Sequence, residues 1–367
     1  MHAKTLRLPP AAAWLDELFC RGMQMIARRQ ERQFPPLPAT APPGAQTASL
    51  FPPVARCRRE EVRRTAWQRQ GRIWRCELAF PSALASAWPE NNTVFVRTFA
   101  PQPDLSLPAV IVVHGLMSLS TLAYRPFLQA IVAAGAAAHF IELPYHHRRT
   151  PAGSFSGDLF YTANFELTWQ AARQAIADIR RLTHGLRAGE APVTGILGFS
   201  LGAWLAALTI CGEPELDFAL LAMPPASFND LVWEAALGRR LRMQLERAQW
   251  SRPQTAALTA RLDPLSYQPL LSRERIEVFA AAHDAIVPLA HVRALQQAWS
   301  LVHVHEYAAG HLTIMLSPQF KRDASLALRR HLQQGGRAAA APSRRQPAAK
   351  QNPEPCSPLP AGAPASA

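Results

Sequence analysis

The chain is poor in lysine, cysteine and unbroken apolar sequence, and each shortage removes a class of protein. Among 39 basic side chains only Lys4, Lys321 and Lys350 are lysines; the rest are arginine. Set against 26 acidic residues they leave a net charge of +13, enough to attract an anionic lipid or substrate. The arginines are scattered and no basic run interleaves with aromatics, so nucleic acid is not an expected partner. The five cysteines (Cys20, Cys57, Cys76, Cys211, Cys356) are odd in number, widely spaced and contain no C-x-x-C pair. That argues against a disulfide framework or zinc knuckle and for a reducing compartment. No apolar stretch reaches the roughly 18 residues of a membrane span. The N-terminus lacks the apolar core and cleavage site of a signal peptide. A soluble, cytoplasmic protein is expected.

What is present suffices for one large domain with tails. Of 367 residues, 49% are hydrophobic, so a full core can be buried. Residues 1–55 read as an N-terminal helix and a proline-rich linker, 56–335 as the domain, and 336–367 as a disordered tail. The helix, at 11–33, has Trp14, Leu18, Met25 and Ile26 near one face, for packing on the core or for peripheral membrane contact.

Within the domain, strand and helix signals alternate. Strands are expected at 72–80, 93–100, 109–113, 136–141, 193–197, 218–222, 277–281 and 301–307. The run at 109–113 (AVIVV) is β-branched without polar alternation, as in a strand covered on both faces, and 218–222 and 277–281 read as further buried strands. Helices are expected at 122–134, 162–183, 201–210, 289–299 and 312–331. The pattern predicts an α/β fold: a mostly parallel eight-stranded sheet with flanking helices. The long segment at about 223–272, with helices at 228–249 and 255–262, follows a strand's carboxyl end and is a candidate lid over the ligand crevice.

Gly198-Phe199-Ser200-Leu201-Gly202 carries the central chemical signal. Such a G-x-S-x-G run arises by chance in about one chain in ten of this length, so context must decide. It directly follows an apolar strand and opens an apolar helix, the strand–turn–helix setting of a nucleophile elbow. A serine hydroxyl needs a base, and the base needs an acceptor that fixes its tautomer. His311 follows the last strand, and Asp284 follows the strand at 277–281. Asp263 and Asp230 are weaker rivals for the acid. The amides of Leu201 and Leu116, with Met117 as substitute for the latter, are candidates for an oxyanion hole.

With Val113-His114-Gly115-Leu116 after a strand, and the chain order Ser200, Asp284, His311, residues 72–333 resemble the α/β-hydrolase superfamily. Glu142-Leu143-Pro144-Tyr145-His146-His147-Arg148-Arg149, with His114-Gly115-Leu116-Met117 and Gly198–Gly202, is similar to the group typified by α/β-hydrolase domain-containing protein 18. That resemblance implies the α/β-hydrolase fold and an acyl-ester hydrolase, with lipid as one substrate class.

Met117, Tyr145, His146, Arg148 and Trp233 are candidate substrate-binding residues. His146, His147, Arg148 and Arg149 are suited to a phosphate or carboxylate, or equally to a solvated loop. His114 reads as structural, and Trp204 and Trp250 as packing. His303 and His305 share a strand face without a third ligand, so no metal is expected, and the chemistry requires no cofactor. The expected activity is hydrolysis of a carboxylic ester by Ser200, His311 and Asp284. An acyltransferase on the same triad and a non-catalytic scaffold are the alternatives, and oligomeric state is left open.

Overall fold

The runs without polar alternation become the middle of a twisted sheet. A computed structural model describes residues 11–30 and 49–340. The strands are β1 (Arg63–Arg64), β2 (Gln68–Gln70), β3 (Ile73–Pro81), β4 (Thr93–Ala100), β5 (Ala109–Val113), β6 (Ala137–Ile141), β7 (Thr194–Phe199), β8 (Phe218–Ala222), β9 (Ile276–Ala281) and β10 (His303–Tyr307). They form one ten-stranded sheet in the order β1-β3-β4-β6-β5-β7-β8-β9-β10, with β2 also paired to β3. From β6 to β10 every pairing is parallel, while β1–β4 join antiparallel at one edge. Eight of these strands match the expected set; β1 and β2, two and three residues long, are the additions, too short to leave a periodicity.

The helices are α1 (Ala11–Gln30), α2 (Arg125–Ala133), α3 (Phe165–Ala188), α4 (Leu201–Thr209), α5 (Phe228–Trp233), α6 (Arg239–Arg247), α7 (Arg252–Thr259), α8 (Leu289–Trp299) and α9 (Pro318–Ala340). Strand alternation sorts the core into two layers. Ile111 and Val113 of β5 pack with Ile176 and Ile179 of α3, Leu205 of α4 and Leu295 of α8. Val110 and Val112 face the other way, toward Phe127 and Ile131 of α2 and Phe320 and Leu328 of α9. Covered on both faces, β5 to β9 are entirely buried.

Several boundaries differ from expectation, three of them with a visible cause. The helix expected at 228–249 is broken into α5 and α6 by a turn at Gly238, where a Cβ would stand 2.2 Å from the Val232 carbonyl oxygen. The last helix continues past residue 331 to Ala340, and a Cβ on Gly335 would collide with Val193 at 2.6 Å. The remainder of the expected C-terminal tail, 341–367, lies outside the described residues, as does 31–48 of the linker. Residues 49–55, assigned to that linker, instead lie along α3. Leu50 is buried, Phe51 meets the Tyr267 ring at 5.2 Å, and Arg173, Arg180 and Arg181 donate to the carbonyls of Ser49, Pro52 and Ala55. Among the described residues no helix is long and apolar enough to cross a membrane.

Away from the crevice, Glu277 of β9 ties β10 to α9. His305 and His331 donate to its carboxylate at 3.2 and 2.8 Å, and Arg330 pairs with it. His305 also stacks on Phe279 with ring centroids 5.1 Å apart, so its polar edge is already committed within the fold. Burial alone would raise the Glu277 carboxyl, but the donors from His305, His331 and Arg330 prevail and hold it below the ordinary range. A depressed folded-state pKa stabilises above the unfolded value, near 4.3, and that stabilisation is lost as pH falls through the folded one. Glu277→Gln is therefore expected to be less stable than wild type at pH 7, with the gap narrowing below about pH 4. Urea unfolding at pH 7, 5 and 3 checks this; a gap independent of pH would contradict the assignment.

Candidate active site

Ser200 stands at the turn from β7 into α4 with φ 53° and ψ −116°, a region that costs a non-glycine residue about 1–3 kcal/mol. Its N–H donates to the Ala222 carbonyl at 2.8 Å, and its own carbonyl accepts from Trp204 at 2.9 Å. The flanking glycines are sterically required. A Cβ on Gly198 would lie 2.4 Å from the Gly202 carbonyl oxygen, and one on Gly202 would lie 2.1 Å from that of Val113. The turn can pass between β5 and α4 only without side chains at those two positions.

His311 lies beyond β10 and Asp284 beyond β9, at neighbouring carboxyl ends of the sheet. The structure brings both to Ser200. Ser200 Oγ and His311 Nε2 are 2.8 Å apart, and His311 Nδ1 and Asp284 Oδ2 are 2.6 Å apart. The Ile286 and Val287 amides donate to Asp284 Oδ1 at 2.8 and 2.7 Å. With one oxygen so held, the other is aimed at the imidazole, which favours the Nδ1–H tautomer and leaves the Nε2 lone pair facing the serine hydroxyl. Burial opposes charge on His311, yet the Asp284 carboxylate, its hydrogen bond and the nearby Asp16 outweigh this and raise the imidazole above its usual 6.5.

Asp263 and Asp230 stand elsewhere. Asp263 Oδ1 accepts the Phe228 amide at 2.6 Å at the start of α5, and burial pushes its carboxyl up to about 7. Asp230 pairs with Arg252 at 2.8 Å. Neither is bonded to His311.

The Leu201 amide opens α4 and has no helical acceptor. Like that of Leu116, it has no hydrogen-bond partner among the described residues. The Met117 amide is engaged, donating to His146 Nε2 at 3.2 Å, which argues against Met117 as the substitute donor. Two residues hold this loop from behind. The Gly115 amide donates to Tyr124 Oη at 2.9 Å, and His114 Nε2 accepts the Leu143 amide at 3.2 Å. Burial keeps His114 well below the ordinary imidazole value, so it is neutral and structural.

Beside Ser200 an apolar pocket is lined by Leu116, Phe160, Tyr161, Trp204, Phe228 and Leu231, among others. Of the five substrate-binding candidates none lines it. Met117 and His146 bond to each other beside it. His146 is buried, with its Nδ1 toward the Pro144 carbonyl at 2.8 Å and its imidazole pushed down to about 3 by burial. Tyr145 is buried edge-on against Trp88, with centroids 5.4 Å apart. Arg148 pairs with Glu142 and Glu77, both at 2.9 Å, and its guanidinium lies over Phe95. Trp233 Nε1 donates to Thr255 at 2.7 Å. Arg149 is wholly buried against Asp178. The charges of the basic run are thus already paired within the protein, Arg149 in the interior and Arg148 at the surface, which leaves neither guanidinium free to clamp an anion. Phe160 and Tyr161, which do line the pocket, follow this run in a segment without periodicity, so nothing in the sequence marks them.

Sequence reasoning also missed Asp16. The face of α1 expected to pack is turned outward: Trp14 is 52% and Leu18 67% exposed, while Asp16 and Cys20 are buried. Met25 and Ile26 belong to the part of α1 whose side chains lie outside the described residues. Apolar residues ring the helix, so periodicity alone did not settle which face turns inward.

No protein-family model matches the chain. Two uncharacterized proteins from two strains of Mycobacterium tuberculosis are each 30% identical over 158 residues, 42% of this chain and 37% of theirs. The match therefore spans little more than a third of those relatives. Among solved structures, the acetyl xylan esterase from Paenibacillus sp. R4 is 13% identical with a TM-score of 0.56, covering 86% of this chain and 93% of that one. Acetyl xylan esterase 1 from Thermoanaerobacterium sp. JW/SL YS485 is 17% identical with a TM-score of 0.54, covering 74% and 87%. At such identities the likeness concerns architecture, and the architecture is the α/β-hydrolase fold.

Proposed function

We propose that the protein is a serine hydrolase that cleaves a carboxylic ester through an acyl-enzyme. The observation that carries this reading is the buried chain Ser200–His311–Asp284, with contacts of 2.8 and 2.6 Å. Ser200 Oγ attacks the ester carbonyl carbon while His311 Nε2 takes its proton. The charge that moves to the carbonyl oxygen is received by the amides of Leu201 and Leu116, each such donor being worth about 3 kcal/mol in the transition state. The tetrahedral intermediate collapses, and the departing alkoxide takes the proton from Nε2. Water, deprotonated by the same nitrogen, then attacks the acyl carbon, and Ser200 leaves with its proton restored. Asp284 stays ionised throughout, orienting the imidazole and stabilising its cation.

The apolar lining beside Ser200 suits a hydrocarbon acyl group rather than a charged one. The segment between β8 and β9 contributes Pro225, Phe228, Leu231 and Leu237 to that lining and in this reading acts as the lid. A lipid ester agrees with the likeness to the α/β-hydrolase domain-containing protein 18 group, and the exposed Trp14, Leu15 and Leu18 of α1 would meet the lipid surface.

Labelling with a fluorophosphonate tests the reading. The adduct is expected on the peptide containing Ser200; failure of the folded protein to react would overturn it. The pH profile gives a second prediction. Only neutral His311 accepts the serine proton, and the Asp284 carboxylate raises its imidazole above 6.5. kcat/KM should therefore fall on the acid side with a midpoint above that value, measured with a p-nitrophenyl ester between pH 5 and 9.

A further inference from the structure

We infer that Asp16, on the N-terminal helix α1, is a positioning residue for the base, so that α1 belongs to the catalytic unit. The inference rests on the reading of Ser200 as nucleophile and concerns how His311 is held to it.

Asp16 is fully buried, and its carboxylate accepts three backbone amides from the two loops that carry the acid and the base. His311 N–H lies 2.7 Å and Ala285 N–H 3.2 Å from Oδ2; Leu312 N–H lies 3.0 Å from Oδ1. Ala285 directly follows Asp284, so one carboxylate bridges the residue after the acid and the residue that is the base. Gly310 makes the approach possible: a Cβ there would stand 2.7 Å from the Ala12 carbonyl oxygen and 2.8 Å from Asp16 Oδ2. The helix backbone, not only a side chain, is seated on the loop.

The arrangement does what the triad alone does not. Asp284 fixes the rotation of the imidazole, whereas Asp16 fixes the backbone from which the imidazole hangs. Hydrogen bonds to a charged acceptor are the strong kind, and displacing a reacting group by about 1 Å can cost roughly 100-fold in rate. The carboxylate also acts on charge: with Asp284 from the β9 loop, it favours the imidazolium that forms as Ser200 attacks. The groups that act on the imidazole are thus Asp284, bonded to Nδ1, the Ser200 hydroxyl at Nε2, and Asp16, whose charge acts from the backbone amide that it holds.

The test is Asp16→Asn, nearly isosteric but uncharged and able to accept through one oxygen only. In folded protein the His311 imidazole, followed by NMR, is expected to titrate at lower pH than in wild type. Turnover per fluorophosphonate-reactive site should fall about 10- to 100-fold, with KM nearly unchanged. An unchanged titration midpoint and unchanged turnover per site would overturn the inference, because a merely structural role alters the fraction folded and neither of these. Should the variant not fold, wild type decides. The amide protons of His311 and Leu312 are expected to be strongly protected from exchange, and exchange at open-loop rates would overturn the inference. The titration and exchange measurements need no substrate. A wild type that hydrolyses no ester would sink the hydrolase reading while leaving Asp16 to be judged on those two.

Discussion

Replacing Ser200 with alanine is expected to lower kcat/KM for a p-nitrophenyl ester by about 10⁴- to 10⁶-fold while leaving the protein folded. In serine hydrolases the nucleophile acts as a unit with its base, and losing it removes nearly all covalent catalysis. What remains is the contribution of the oxyanion donors and of binding, about 10³–10⁴ over water. Here the hydroxyl is the only atom deleted, since Ser200 caps no helix through its side chain and its backbone bonds to Ala222 and Trp204 persist. Residual activity above about 1% of wild type would place the nucleophile elsewhere. A companion variant separates chemistry from strain. Ser200→Gly should be equally inactive yet more stable by about 1 kcal/mol, because glycine adopts the φ of 53° without the penalty of a Cβ. Stability gained by an inactive variant at this position would mark the backbone strain as belonging to function.

How far such a site can be read from sequence depends on whether the signal is local. β5 to β9 were legible because strands covered on both faces carry mainly apolar residues: β5 (AVIVV) and β8 (FALLA) are unbroken, and only His139 in β6 and Glu277 in β9 set an ionisable side chain among them. Ser200 was legible because the steric demand at Gly198 and Gly202 leaves a written trace two residues either side. Asp284 and His311 carry no such trace; only their positions after strands selected them, and set Asp284 ahead of the two aspartates in the segment after β8. Asp16 left none at all. Its three partners lie 269, 295 and 296 positions away in sequence, and an aspartate within an Ala- and Leu-rich helix reads as a solvated residue on the polar face. The basic run misled for a related reason. A cluster of Arg and His after a strand looks like a recognition surface, because the sequence does not reveal that Glu142, Glu77 and Asp178 are close enough to neutralise it.

That neutralisation supports the remaining large prediction. Arg149→Ala is expected to destabilise the fold by about 3–5 kcal/mol, the usual cost of leaving one member of a buried ion pair alone. Neither partner is more than 1% exposed, and Arg149 Nη2 lies 2.8 Å from Asp178 Oδ2. The guanidinium also donates to the carbonyls of Glu142 and Asn91, while Asp178 Oδ1 accepts Ser82 Oγ at 2.7 Å and the Ala83 amide at 2.9 Å. The pair thus fastens the turn after β6 and the approach to β4 onto α3. Burial already raises the Asp178 carboxyl despite the facing guanidinium; without Arg149 the raise must grow. A carboxyl whose folded pKa lies above its unfolded value destabilises once pH exceeds the unfolded value, and that penalty disappears as pH falls below it. The gap between wild type and Arg149→Ala should therefore be widest at neutral pH and shrink toward about pH 4. That narrowing is shared with Glu277→Gln but has a different origin: in the Glu277 case wild type loses stability, and here the variant regains it. Urea unfolding across pH distinguishes the two. Arg149→Met with Asp178→Leu should recover much of the loss, since an apolar pair leaves no charge to desolvate. Because the same turn carries His146, whose Nε2 holds the Met117 amide beside the Ser200 pocket, Arg149→Ala should also lower turnover in the fraction that remains folded. A double variant that is stable yet slow would show that this buried pair holds the geometry of the Leu116–Met117 loop as well as the fold.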